Sequence, residues 1–229
     1  MTATDAPRPL AGRPTRETLV RLALIVNTLI ALSLAYVALT EAQVGTGRYT
    51  LYGLLWVGAG VAAVAFTDVS PAGVRARRVA GAVAVGYLGA LAVAGGLVGP
   101  GVPPASADGL RVATLPPGWG PALVYGGTTL SAVLMPAKVV GYLALAYLVY
   151  ATVVDALAVS DGAVRGTVPG LLGLLSCVSC SWPILASLAT GVFGAGTAVA
   201  GTALALSYDL STLVYLVTVG LLYWRPFGP

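Results

Sequence analysis

Apolar residues run along this chain in long blocks separated by short polar breaks. A helix needs roughly 20 mostly apolar residues, each advancing about 1.5 Å, to cross a bilayer. The first block runs from Leu19 to Thr40, after a polar, proline-containing tail with Arg8, Arg13 and Arg16, and Arg21 lies inside its first turn. It exceeds the roughly 7–15 residues of a secretory signal's apolar centre, so it reads as an uncleaved anchor. A second block covers Tyr49 to Phe66. Asp68-Val69-Ser70-Pro71 and the basic cluster Arg75, Arg77 and Arg78 follow it. A third, Val79 to Val98, is crowded with Gly81, Gly86, Gly89, Gly95 and Gly96.

The stretch from Gly99 to Gly120 is the longest polar break, and its prolines and glycines predict a surface loop closed by Trp119 as an interfacial aromatic. From Pro121 to Ala156 the chain is apolar for too long to be one span. Gly126-Gly127 and Pro136 predict a short irregular or re-entrant piece, then a span from Met135 to Ala156. Asp161 and Arg165 fall in the next connection. A fifth span starts near Pro169 with Thr167 as its N-cap. The last region, Gly196 to Trp224, reads as one broken span, or as two segments turned at Ser207-Tyr208-Asp209. The expected fold is therefore all-α: a polytopic integral membrane helical bundle of six transmembrane helices, or seven on the second reading. Residues 1–18 form a cytoplasmic tail and 19–229 a single transmembrane domain.

Composition supports lipid as the solvent. Hydrophobic residues make up 58% and charged ones 9%, against about 25% charged in soluble domains. The 30 glycines suit close helix–helix approach, because packing drives association in the membrane. The net charge of +4 comes without a basic stripe interleaved with aromatics, so it marks orientation and excludes nucleic acid as the partner. The tail, the Arg75–Arg78 loop and the Arg165 loop fall on one side, whereas the intervening loops offer only Arg48 and Arg111. The positive-inside rule makes this a multi-pass protein of the cell membrane with a cytoplasmic N-terminus, and puts the Gly99–Gly120 loop outside.

Candidate chemistry concentrates at Cys177-Val178-Ser179-Cys180-Ser181-Trp182-Pro183, the only two cysteines of a chain without histidine. Spaced i, i+3, the thiols share one helix face, where they can close a disulfide or clamp one soft metal ion. Entry near Pro169 places them some 12–17 Å deep, near mid-bilayer. Pro183 cannot bond to the Ser179 carbonyl, so the fifth helix is expected to kink there. Freed backbone oxygen at that depth needs protein or a watery cavity around it. Ser176, Ser179 and Ser181 are near enough to help, and the segment reads as the wall of a site. Beside this stands the plainer reading, in which buried cysteine packs as a small hydrophobe. Zinc would lack half its tetrahedral shell, whereas Cu(I) accepts soft thiolates. Covalent haem c would need histidine where Ser181 stands and is excluded.

Ser176, Cys177, Cys180 and Pro183, with Ser187-Leu188 and the small residues Gly191, Gly194 and Gly196 behind them, resemble the C-terminal S-C-x-x-C-x-x-P motif of uncharacterised, mostly archaeal polytopic membrane proteins. The resemblance covers the last quarter of the chain; the rest is similar in hydropathy alone. It implies a membrane-protein partner in respiratory-chain or copper-oxidase assembly. The vitamin K epoxide reductase and DsbB families relay electrons through a second cysteine pair that this chain lacks. The CcdA family sets its two cysteines on different helices.

Three further polar residues interrupt apolar runs. Lys138 is expected to snorkel to the headgroups, or else to lower a thiol pKa or pair with Asp209. Asp155 is expected at the cytoplasmic interface, near Arg165. Asp209 reads as a helix N-cap, or as a proton or cation site against the cysteine helix. Trp56 and Trp224 read as lipid-packing or interfacial residues. No P-loop, dinucleotide fingerprint, nucleophile elbow or metalloprotease motif is present, and no catalytic residue is assigned. Three functions follow: soft-metal (copper) handling by a transport or assembly accessory, thiol–disulfide exchange, or a structural, permease-like subunit whose cysteines only pack.

Overall fold

The computed structural model describes residues 15–40, 47–101, 109–159 and 198–224, the last with side chains from Asp209 to Tyr223. Among these residues the chain forms five helices: α1 (Arg16–Thr40), α2 (Gly47–Ala65), α3 (Val74–Ala94), α4 (Pro136–Val159) and α5 (Ala198–Trp224). Between α3 and α4 lie four strands, β1 (Val98–Pro100), β2 (Gly109–Ala113), β3 (Ala122–Gly126) and β4 (Leu130–Leu134), in one antiparallel sheet of order β1-β4-β3-β2. This sheet overturns the expectation of an all-α bundle of six or seven helices. Two of its strands occupy the expected surface loop and two the expected irregular piece. The kink at Pro183 lies outside the described residues.

The physical cause of the sheet is visible in the residues. Ala122–Gly126 and Leu130–Leu134 carry β-branched and aromatic side chains on either side of a three-residue turn begun by Gly127. Their pairing, Leu123 with Leu134 and Tyr125 with Ala132, satisfies backbone groups that an irregular segment would leave open. Register also pairs Leu110 with Tyr125 and Val112 with Leu123, so these apolar side chains share one face of the sheet. Pro136 then ends the sheet and opens α4 as its first residue, where a missing N–H costs nothing.

Among the described residues, three helices are long and apolar enough to cross a membrane: α1, α3 and the Pro136–Ala158 part of α4. Their contacts fix directions. Leu29 of α1 faces Gly58 of α2, and the Tyr36 hydroxyl donates to the Leu115 carbonyl at 3.0 Å, so α1 is antiparallel to α2. Gly60 of α2 lies against Ala144, and the Tyr147 hydroxyl donates to the Thr67 carbonyl at 3.4 Å, so α2 and α4 run the same way. In α5, Asp209 meets Arg48 while Thr212 and Tyr215 meet Trp56, which makes it parallel to both. Lys138 and Tyr142, near the start of α4, meet Gly95 at the end of α3. The starts of α1 and α3 thus share one end of the helical body, and the sheet caps the other.

Candidate functional site

Trp56 is the centre of the described core, 4% exposed and enclosed by aromatics from three other segments. Its ring stacks on Tyr215 with centroids 4.1 Å apart and planes 5° from parallel. Tyr142 meets it edge-on at 6.0 Å, and Trp119 tilts against it at 6.2 Å. Hydrogen bonds fix the group: Trp56 Nε1 donates to Thr212 Oγ1 at 3.2 Å, and the Tyr215 hydroxyl donates to the Trp56 carbonyl at 3.0 Å. Glycines admit the rings. A Cβ on Gly141 would stand 2.7 Å from Trp56 Cε3, and one on Gly60 would stand 2.9 Å from the Tyr215 hydroxyl. Trp56, expected to pack on lipid or anchor at the interface, and Trp119, expected as an interfacial aromatic, are therefore core residues. Trp119 Nε1 donates to the Tyr49 carbonyl at 2.7 Å, which ties the loop after β2 to the start of α2. Gly118 in that loop has φ +88° and lies on Gly53, where a Cβ would come within 2.6 Å of the backbone.

Above this core, at the sheet end, Asp209 joins α5 to α2. It accepts from the Tyr52 hydroxyl at 2.5 Å and pairs with the Arg48 guanidinium, which also donates through Nε to the Tyr52 oxygen at 3.0 Å. The pair is part-exposed, at 50% for Arg48 and 32% for Asp209. Such a clasp aligns helices more than it stabilises them. Asp209 stands in the interior of α5, not at its start, so the N-cap reading gives way to an interhelical bridge. Lys138 Nζ donates to the Gly95 carbonyl at 2.9 Å, a cation on the carbonyl end of α3. Asp155, near the end of α4 away from the sheet, is buried, 3% exposed.

Cys177, Cys180, Ser176, Ser179 and Pro183 lie outside the described residues, and so does their expected relation to Lys138 or Asp209. Among the described residues no group of three or more His, Cys, Asp or Glu gathers as a metal centre. What sequence reasoning missed is the polar seam of Arg48, Tyr52, Trp56, Thr212 and Tyr215. Its signal was spacing: Tyr52 and Trp56 at i, i+4, and Asp209 and Thr212 at i, i+3, each pair on one face of an apolar helix.

Among the described residues, helices of spanning length, an aromatic core and a sheet at one end define a mixed helical protein with three helices apolar enough to cross a membrane. The chain belongs to a family of unknown function, DUF7546, whose family model matches residues 1–229. Neither the curated proteins nor the solved structures contain a match to it.

Proposed function

We propose that this is a multi-pass protein of the cell membrane, with a cytoplasmic N-terminus and an outward sheet, acting as an accessory that holds a soft metal ion, Cu(I), between Cys177 and Cys180. Its partner on this reading is another membrane protein, of the kind met in respiratory-chain assembly. Orientation is supported by the arginines: Arg16 and Arg21 start α1, and Arg75, Arg77 and Arg78 start α3, at the same end of the helical body. At the sheet end, Arg48 is held by Asp209 and Lys138 by a backbone carbonyl.

The observation that carries the accessory reading is the filled seam between α2, α4 and α5. Among the described residues, four aromatic rings and three interhelical or loop hydrogen bonds fill the space between these helices. A packed seam of this kind serves as a scaffold for a site elsewhere in the chain. The two thiolates are the softest ligands the sequence offers, and Cu(I) accepts two such ligands.

The test is copper content and free thiols, measured together on protein purified without oxygen. The parent should carry stoichiometric copper on reduced thiols. Cys177→Ala and Cys180→Ala should each lose it, and the double variant should lose little more, because the ligands act as a unit. Equal copper in all four proteins would refute the proposal.

A further inference from the structure

We propose that α1 pairs with α1 of a second copy of this chain, through a helix face centred on Asn27. The pairing rests on reading α1 as a membrane span.

Among the described residues, none of the 25 residues of α1 is buried. The helix meets its own body along one stripe, through Ile25, Leu29 and Ser33, which are partly covered. Asn27 is two residues from both Ile25 and Leu29. At about 100° per residue it points roughly 160° away from that stripe, out of the molecule. It is exposed, as are Ala31 and Ala35, which follow it at four-residue intervals along the same face. Asn27 sits near the middle of α1, so its carboxamide lies deep in the hydrocarbon if α1 spans the bilayer. Two hydroxyls of the helix solve this problem locally: Ser33 donates to the Leu29 carbonyl and Thr40 to the Tyr36 carbonyl. Asn27 makes no such bond among the described residues.

An amide carries both a donor and an acceptor, and is therefore its own complement. In a two-fold pair of identical helices, each Asn27 donates to the carbonyl oxygen of the other, closing two bonds at once. Two copies inserted the same way bring Asn27 to the same depth, as that reciprocal bond requires. Small residues at four-residue spacing let the backbones approach closely enough to make it. At the helix start Arg21 is paired with Glu17 at 2.5 Å within each helix, which leaves Arg16 as the like charge that a parallel pair brings together there.

The test uses the full chain carrying donor or acceptor fluorescent proteins at its N-terminus, reconstituted in liposomes over a series of lipid dilutions. Energy transfer should report a monomer–dimer equilibrium. Asn27→Leu should weaken it roughly threefold to thirtyfold, the range expected for interhelical polar contacts in lipid. Asn27→Gln keeps the amide and should retain most of the association. Ala31→Ile, which thickens the contact, should weaken it. Leu39→Val, at the exposed far end, should leave it unchanged. A carbonate-resistant chain that stays monomeric, or one whose Asn27→Leu variant associates like the parent, overturns the pairing alone. A chain that alkaline carbonate strips from the membrane overturns the membrane reading and the pairing with it.

Discussion

Replacing Gly141 by alanine puts one methyl group against the central stack. Its Cβ would stand 2.7 Å from Trp56 Cε3, 3.2 Å from Cζ3 and 3.3 Å from Tyr215 Cε2. Neither ring has room to retreat. Trp56 is held through Nε1 by Thr212, and Tyr215 through its hydroxyl by the Trp56 carbonyl. Overpacking a tight core costs roughly 1–3 kcal/mol, and alanine's better helix propensity returns up to about 1 kcal/mol. A net loss of about 1–2 kcal/mol is expected. Gly86→Ala is the matched control, since a Cβ there meets nothing within 4 Å. That variant should be neutral or gain up to about 1 kcal/mol. The assay is reversible unfolding in mixed micelles of increasing denaturing detergent, followed by tryptophan fluorescence. Gly141→Ala matching or exceeding Gly86→Ala in stability would refute the packing described for α2, α4 and α5.

Smaller effects are expected elsewhere in the seam. Tyr215→Phe keeps the stack and removes the hydroxyl, so it should cost roughly 0.5–1.5 kcal/mol in the same titration. Tyr215→Leu, which also removes the stacked ring, should cost clearly more, and equal losses would speak against the stack. Arg48→Ala and Asp209→Asn should each cost only about 0.2–1 kcal/mol, and less in high salt, because the pair is part-exposed. A salt-independent loss of several kcal/mol would mean the clasp is buried.

Helix positions were legible because their signal is apolar length. The expected blocks at Leu19–Thr40, Tyr49–Phe66 and Met135–Ala156 overlap α1, α2 and α4 almost completely, with ends shifted by a few residues. The sheet was not legible, because its two central strands lack the polar–apolar alternation that marks a half-buried strand. Leu123-Val124-Tyr125 and Ala132-Val133-Leu134 are apolar on both faces and merge into the α4 block. Gly126-Gly127 between two such runs was the hairpin signal, and it read as part of a short irregular or re-entrant piece. Asp209 misled for a related reason. Ser207-Tyr208-Asp209 has cap chemistry, but its partners Arg48 and Tyr52 lie far away in sequence, where no local rule reaches them. The cysteine segment, the strongest chemical signal in the sequence, lies outside the described residues.

That the sheet and the arginine-rich helix starts lie on opposite sides of a bilayer is tested most directly by reporter insertion. Alkaline phosphatase, active only after export, would be placed at Thr128 in the turn between β3 and β4, and separately at Ser70 between α2 and α3. Activity at Thr128 and none at Ser70 is the expected result. Activity at Ser70 alone, or the same activity at both positions, would contradict it.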